Sequence, residues 1–176
     1  MNKHNTKSKT IKKQSNAKLV WSGIGLILLP VVVGFAASAL TMDVMNSFGK
    51  LNQPPFAPPA WLFPIAWTIL YILMGITSFL IYKQTCKNKQ QKSLRKASLI
   101  IYFTQLFFNF WWTLIFFRFE LRYFAFGWLL VMWGLILTLI ILCFRNHNKA
   151  AAICLIPYIL WCTFASVLNI SIALLN

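Results

Sequence analysis

Five long stretches without a charged residue dominate the chain, and short polar connectors separate them. The stretches run from Leu19 to Leu40, Trp61 to Tyr82, Ser98 to Phe117, Tyr123 to Phe144 and Ala151 to Leu174. Each has about 20 to 24 residues, which at a helical rise of about 1.5 Å crosses the roughly 30 Å hydrocarbon core of a bilayer. None alternates polar and apolar residues as the strands of a membrane barrel do. The pattern predicts an all-α integral membrane protein, a five-transmembrane-helix bundle.

The charged residues lie in the connectors and are almost all basic. The 176-residue chain has 17 Lys and Arg against 2 Asp and Glu. Most of the basic residues lie in residues 1–18 and in the loops after the second and fourth stretches, on one side of a five-span chain. By the positive-inside rule we expect a cytoplasmic N-terminus and an outside C-terminus in a bacterial cytoplasmic membrane. Residues 1–18 are expected to form a disordered basic tail, and charges confined to connectors argue against nucleic-acid binding.

The five stretches contain no side chain suited to proton transfer. Asp43 and Glu120 fall in connectors, as does His147, and His4 falls in the tail. Proton-coupled transport and general acid–base catalysis therefore lack their usual residues. We predict no acid–base catalytic set, no metal site and no required cofactor.

Aromatic and neutral polar residues recur at helical spacing in three of the stretches. They are Phe63, Trp67 and Tyr71 in the second stretch, Tyr102, Gln105, Asn109, Trp112 and Phe116 in the third, and Tyr158, Trp161, Ala165 and Asn169 in the fifth. Steps of three and four residues place each set on one helix face. Because amides are costly against lipid, we expect these faces to point into the bundle and line an apolar pocket. The alternative is that the rings are packing and the amides form interhelical hydrogen bonds.

Small residues provide a second pattern. Gly34 and Ser38 are four residues apart in the first stretch, and Gly127 and Gly134 are seven apart in the fourth. Such spacing lets two helices approach closely. The pattern indicates either packing within the chain or a homodimer, and both alternatives stay open.

The connector before the second stretch is rich in proline. The segment "QPPFAPPAWLFP" holds Pro54, Pro55, Pro58 and Pro59. Since proline fixes φ and favours extended neighbours, we expect a stiff, mostly polyproline-like loop that forms a lid over the pocket. Pro59 is predicted to open the second helix, and Pro64 is predicted to kink it so that Trp67 leans toward the pocket.

Three segments together resemble one protein family. "QPPFAPPAWLFPIAWTILYILMG", "QLFFNFWWTLIFF" and "PYILWCTFASVLNISIALLN" are similar, in this order, to the second, third and fifth helices of the tryptophan-rich sensory protein / translocator protein family (TspO/MBR). The resemblance covers about residues 20 to 176. It implies a five-helix membrane bundle, often dimeric, with a ligand cavity closed by the loop between the first two helices.

The resemblance also implies ligands and ligand-binding residues. The ligands are tetrapyrroles such as protoporphyrin IX and haem, with sterols and benzodiazepine-type drugs as further candidates. The family's pocket positions fall on Phe48, Trp67, Asn109, Trp112, Thr113, Trp161 and Ala165. Sterol recognition at the fifth helix has less support, because no basic residue follows Tyr158 there.

Three functions follow from these observations. The first is a binding or sensory protein that holds a tetrapyrrole between tryptophan rings. The second is light- and oxygen-dependent breakdown of porphyrin, with Trp67 and Trp161 as the reacting side chains. The third is passive passage of porphyrin or sterol along the helices.

Overall fold

The structure, a computed structural model, describes residues 3–44 and 51–176, with side chains from Leu19 onward. Its helical elements are α1 (Lys3–Ala39), α2 (Leu62–Tyr82), α3 (Lys89–Thr113), a π-helical turn (Leu114–Arg118), α4 (Arg122–Arg145), α5 (Lys149–Cys154) and α6 (Ile156–Leu175). Within this part of the chain, five helical spans are long and apolar enough to cross a membrane. The predicted all-α, five-span membrane fold is confirmed.

Two helices begin earlier than the hydrophobic pattern indicated. The backbone of α1 is helical from Lys3, whereas the sequence predicted a disordered tail over residues 1–18. Residues 3–18 contain no Gly or Pro, and their six Lys residues are good helix formers, so nothing local stops the helix. Similarly α3 begins at Lys89, nine residues before the uncharged stretch. The side chain of Asn88 accepts a hydrogen bond from the Gln91 N–H at 2.8 Å and caps that helix.

The fifth span consists of two helices. It breaks at Leu155, whose N–H bonds to the Ala152 carbonyl as the last turn of α5 tightens. Pro157 lies in the first turn of α6, where its missing N–H costs nothing. The predicted continuous helix from residue 151 to 174 is therefore wrong at this one point, although the span as a whole runs from Lys149 to Leu175.

The helices run antiparallel in sequence order and give the bundle two different ends. One, the lid end, holds the lid loop (residues 51–61) together with the ends of α1, the π turn and α6. The other, the basic end, holds the loops at residues 83–88 and 146–148. The principal packing pairs are α1 with α2, α3 with α4, and α4 with α6.

Two glycines allow α1 and α2 to pack closely. A Cβ on Gly75 would lie 2.5 Å from the Ile27 carbonyl oxygen, and a Cβ on Gly34 would lie 2.1 Å from the Tyr71 ring. Gly34 therefore serves packing within the chain, one of the two predicted roles. Gly127 and Gly134 differ, because a Cβ on either would meet nothing within 4 Å among the described residues.

Pro30 lies inside α1 and leaves one carbonyl of that helix without its usual partner. The missing N–H would have bonded to the carbonyl of Leu26, four residues earlier. The hydroxyl of Ser78, on α2, lies 3.2 Å from the Leu26 oxygen and 2.8 Å from the Gly75 carbonyl oxygen of its own helix, so its one proton is shared between the two acceptors. Ser78 is fully buried, so this interhelical contact partly satisfies a carbonyl that would otherwise be unpaired inside the bundle.

The lid loop is only partly extended. The N–H of Ala57 bonds to the Pro54 carbonyl at 2.9 Å, which closes a turn with Pro55 at its second position, where proline is favoured. The predicted polyproline-like path over residues 53–59 is therefore interrupted by this turn.

The start of α2 also differs from the prediction. Pro59 precedes the helix, which begins at Leu62, and its carbonyl accepts the N–H of Leu62. Pro64 is the third residue of α2, where an N–H has no intrahelical partner, so the predicted loss of a helical bond to Ala60 is wrong. Trp67 nevertheless faces the cavity, as predicted.

Candidate functional site

A cavity of about 450 Å³ lies inside the bundle toward the lid end. Its walls come from α1 between Val31 and Met42, from α2 between Phe63 and Tyr71, from residues 112–117, and from α6 between Trp161 and Ile172. None of its lining side chains is charged, and most are apolar or aromatic. The volume falls within the range of roughly 300 to 1,000 Å³ that is typical of small-molecule pockets.

Nine of the residues predicted as ligand-binding line this cavity. They are Phe63, Trp67, Tyr71, Trp112, Thr113, Phe116, Trp161, Ala165 and Asn169. Eight of them belong to the three sets predicted from helical spacing, and the ninth, Thr113, follows Trp112. They come from α2, α3, the π turn and α6. Phe48 lies outside the described residues.

The contribution of α1 was missed by the sequence analysis. Five of its residues and two that follow it line the cavity: Val31, Gly34, Phe35, Ala37 and Ser38 in α1, and Thr41 and Met42 just after it. The first stretch is apolar all round, so no aromatic or amide periodicity marked an inward face. The spacing of Gly34 and Ser38 was the one available indication, because close helix approach identifies the face that meets a neighbour.

Gln105 and Asn109 belong to a buried network and do not line the cavity. The Tyr71 hydroxyl donates to Asn109 Oδ1 at 2.7 Å, and Asn109 Nδ2 donates to the Tyr158 hydroxyl at 3.0 Å. The Tyr158 hydroxyl donates in turn to Gln105 Oε1 at 2.9 Å. Both amides have 0% exposure, so this chain of hydrogen bonds forms a fixed polar floor that joins α2, α3 and α6.

The amide of Asn169 connects the cavity wall to α4. Asn169 accepts a hydrogen bond from the Trp112 indole at 3.3 Å and donates to the Arg122 carbonyl at 2.9 Å. The Trp112 ring is therefore held in one orientation against the cavity. Asn169 lines the cavity with an amide whose oxygen and nitrogen both already have a protein partner.

The aromatic side chains of the cavity contact one another. The Trp67 ring centroid lies 5.7 Å from that of Tyr71 and 5.8 Å from that of Trp112, and Trp112 stacks on Phe116 at 5.7 Å. Phe63 meets Trp161 edge to face at 6.1 Å. These separations are typical of favourable aromatic pairs. The walls therefore present large flat ring faces in a preformed arrangement.

Two neighbouring phenylalanines of the cavity wall, Phe116 and Phe117, lie in the π-helical turn. The N–H of Phe119 bonds to the Leu114 carbonyl, five residues earlier, at 2.9 Å. This wider turn reduces the angle between successive side chains, and such turns are frequent at functional sites.

Trp161 supplies a donor without a protein acceptor. Its indole Nε1 is buried and has no hydrogen-bond partner among the described residues. An unsatisfied buried donor costs about 1 to 3 kcal/mol. Trp161 is thus the cavity residue that would gain most from an acceptor on a ligand.

The lid loop is fastened to the C-terminal end of α6. The Asn52 N–H donates to Asn176 Oδ1 at 2.9 Å, and Asn176 Nδ2 donates to the Asn52 carbonyl at 3.0 Å. Phe56 meets Phe164, a cavity residue, edge to face at 6.5 Å. Pro54, Pro55, Pro58 and Pro59 shape this loop and do not themselves line the cavity.

An ion pair between Asp43 and Arg118 lies at the rim of the cavity. Thr41 and Met42, just before Asp43, line the cavity, as do Phe116 and Phe117 just before Arg118. The side chains are 64% and 46% exposed, so the pair sits where the cavity meets solvent. The hydrogen bond from Arg118 lowers the pKa of the Asp43 carboxyl below its ordinary value.

Two tryptophans of α4 do not line the cavity but are more than lipid-facing anchors. The Trp128 indole donates to the Phe108 carbonyl at 2.8 Å, and its ring stacks on Phe108 at 4.2 Å. The Trp133 indole donates to the Thr163 hydroxyl at 2.9 Å. Both side chains therefore join α4 to a neighbouring helix.

The fold and the cavity define a class of protein: a multi-pass membrane protein with a preformed, uncharged aromatic cavity inside its helix bundle. The sequence model of the TspO/MBR family matches residues 26–175. The chain therefore belongs to the TspO/MBR family, whose members carry the names of tryptophan-rich sensory and translocator proteins.

Relatives from all domains of life are similar over nearly their whole length. The chain is 34% identical over 155 residues to the Tryptophan-rich protein TspO of Archaeoglobus fulgidus, covering 87% of this chain and 95% of that protein. It is 32% identical over 154 residues to the Tryptophan-rich protein TspO of Chlorobaculum tepidum, covering 87% and 92%. It is 29% identical over 150 residues to the Translocator protein of Bos taurus, covering 83% and 85%.

Proposed function

We propose that this protein binds a tetrapyrrole, such as protoporphyrin IX or haem, in the aromatic cavity and acts as a membrane sensor of that ligand. The observation that carries the proposal is the preformed contact of Trp67 with both Tyr71 and Trp112, which presents flat ring surfaces inside an uncharged cavity. A planar macrocycle buries a large apolar area against such surfaces and gains stacking energy in addition.

The cavity also has polar groups for the edge of the ligand. Trp161 offers an unpartnered indole N–H, and the Thr113 hydroxyl lines the wall. A few polar groups in an apolar pocket fix the orientation of a ligand. The amides of Gln105 and Asn109 act indirectly, because they hold Tyr71 and Tyr158 in place beneath the cavity.

A pair of adjacent tryptophans provides the test of this site. Trp112 lines the cavity, while Trp111, next to it on α3, does not and is 36% exposed. Protoporphyrin IX is titrated into the purified protein and followed by its own absorbance band. We expect Trp112→Leu to weaken binding about tenfold or more, since an aromatic contact adds about 0.5 to 1.5 kcal/mol beyond burial. Trp111→Leu should bind like the wild type; equal affinities of the two variants would refute the site.

A photochemical reaction of the bound porphyrin is a second candidate. The ring of Trp67 contacts three aromatic neighbours, Tyr71, Trp112 and Tyr158, which offers a path for an electron from these oxidisable side chains to an excited ligand. Illumination of the complex in air, with Trp67→Phe and Trp161→Phe as variants, tests this reaction. If porphyrin absorbance is lost no faster than for the free compound, the photochemical reaction is excluded and the binding proposal is unaffected.

We further propose that the basic end faces the cytoplasm, so that the lid and the cavity mouth face outside. That end of the bundle carries Lys83, Lys87 and Lys149, in accord with the positive-inside rule. Cys86 lies in the first of these loops and is partly exposed. We expect a membrane-impermeant maleimide to label Cys86 only in disrupted cells. Labelling of Cys86 in intact cells would show that the orientation is the opposite of the one proposed.

A further inference from the structure

Among the described residues, Arg118 is a cation at the cavity mouth that is already paired with a carboxylate. Arg118 ends the π turn, and its guanidinium donates to the carboxylate of Asp43 at the end of the first span. Since the cavity lining itself carries no charge, an acidic group on a ligand would have no cationic partner inside it. A carboxylate would therefore be stabilised only at the rim, where water is present and Arg118 lies.

We propose that Arg118 selects ligands that carry a carboxylate at the edge of an apolar ring system, and that Asp43 occupies this guanidinium until such a ligand arrives. The inference rests on the proposed function and adds the recognition of a ligand's acidic edge to it. Arg118 donates either to Asp43 or to the ligand carboxylate. Binding thus exchanges one ion pair for another.

The exchange is feasible because the existing pair is easily broken. Both side chains are about half exposed, and exposed ion pairs contribute at most about 1 kcal/mol. Arginine is suited to the role, since its planar fork can hold a carboxylate with two parallel hydrogen bonds. The rim pair also connects α1 to the π turn, so its exchange alters a contact between two cavity walls.

The test compares a dicarboxylic macrocycle with its neutral ester. Protoporphyrin IX and its dimethyl ester have the same ring and differ only in charge at the edge. Both are titrated into the full-length protein in lipid nanodiscs, and the ratio of the two dissociation constants is measured. This ratio removes any general effect of a variant on the cavity.

We expect Arg118→Gln to weaken binding of the diacid about threefold to fivefold and to leave the ester unchanged, as suits an exposed ion pair. Asp43→Asn should tighten the diacid by a similar factor, because it removes the competitor. Arg118→Lys should retain most of the preference for the diacid. Arg145→Gln is the matched control, since it removes the same charge from an exposed position at the basic end and should change neither ligand.

The outcomes separate the two proposals. If the wild type binds both compounds but Arg118→Gln leaves their ratio unchanged, the role of Arg118 is overturned and the cavity proposal stands. An equal loss for both compounds also overturns it, because that result indicates a structural effect. If the wild type binds neither compound, the proposed function fails, and this inference with it.

Discussion

Asn52 and Asn176 hold each other by two reciprocal hydrogen bonds although they lie 124 residues apart in the chain. Asn52 begins the lid loop, and Asn176 follows the last residue of α6. A third bond, from Asn52 Nδ2 to the Leu175 carbonyl at 3.3 Å, strengthens the contact. The lid is therefore fastened to the same helix that supplies Trp161 and Ala165 to the cavity.

Removal of this contact should loosen the lid without unfolding the bundle. In Asn176→Ala the two reciprocal bonds are lost, and exposed bonds of this kind contribute about 0.5 to 1.5 kcal/mol each. We expect amide hydrogen exchange in residues 51–61 to become roughly tenfold faster, with exchange in α3 and α4 unchanged. Ser171→Ala, an exposed position on the same helix, is the control. Unchanged exchange in the loop would show that its other contacts, such as those of Phe56 with Phe164 and of Asn52 with the Leu175 carbonyl, are sufficient to hold it.

The contact between Ser78 and the Leu26 carbonyl can be tested by a double-mutant cycle with Pro30. Ser78→Ala should lower the free energy of unfolding by about 0.5 to 1.5 kcal/mol, since it leaves that carbonyl unpaired. In a Pro30→Ala background, the new N–H of residue 30 can bond to the Leu26 carbonyl, so the same change should cost less. Denaturation in mixed micelles measures all four proteins. Strictly additive effects would contradict the role given to Ser78.

Gly75 should not tolerate a side chain. A Cβ there would lie 2.5 Å from the Ile27 carbonyl oxygen and 2.7 Å from its Cα, and both are backbone atoms that can move only if the helices separate. We expect Gly75→Ala to lower the free energy of unfolding by about 1 to 3 kcal/mol, the usual cost of overpacking. Gly25→Ala is the matched control, because its Cβ would meet nothing within 4 Å and alanine is the better helix former. A stable Gly75→Ala protein would disprove the close contact.

Tyr158→Phe separates a role in stability from a role in binding. The change keeps the ring but leaves Asn109 Nδ2 and Gln105 Oε1 without a partner, at about 1 to 3 kcal/mol for each buried group. We expect a clear loss of thermal stability with nearly unchanged porphyrin affinity, because Tyr158 does not line the cavity. Tyr123→Phe, at an exposed position, should change neither property. If Tyr158→Phe instead lowers porphyrin affinity without lowering thermal stability, the ligand contacts the hydroxyl of Tyr158 and the prediction is wrong.

The sequence predicted the spans and the cavity-facing sides of α2, α3 and α6 because lipid restricts the possible structures. A polar or aromatic stripe on a membrane helix has to face inward, so the spacing of Trp67, Trp112 and Trp161 was informative. The same reasoning could not distinguish residues that line the cavity from residues that are buried beneath it. Asn109 and Trp112 share one helix face, yet only the partner helices decide that Asn109 meets the hydroxyls of Tyr71 and Tyr158.

Three further features depended on details outside any single helix. The start of α2 at Leu62 rather than at Pro59 decides whether Pro64 breaks a hydrogen bond, and a shift of three residues removed the predicted loss of that bond. The sequence of α1 has no aromatic or amide periodicity that would identify its inward face. The pairing of Asp43 with Arg118 required the ends of two spans to meet at the lid end, which local patterns do not encode.

The π turn gives the mouth of the cavity an unusual sensitivity to chain length. Its bonding pattern, from Phe119 back to Leu114, accommodates one residue more than an α-helical turn does. Loss of one residue from Leu114–Phe117 would remove this extra residue and restore a regular α-helical turn, so that the chain beyond it could keep its position. The aromatic side chains of the turn would then be realigned against the cavity wall. At this mouth a one-residue deletion would thus change which rings face the cavity, while the helix itself would become more regular.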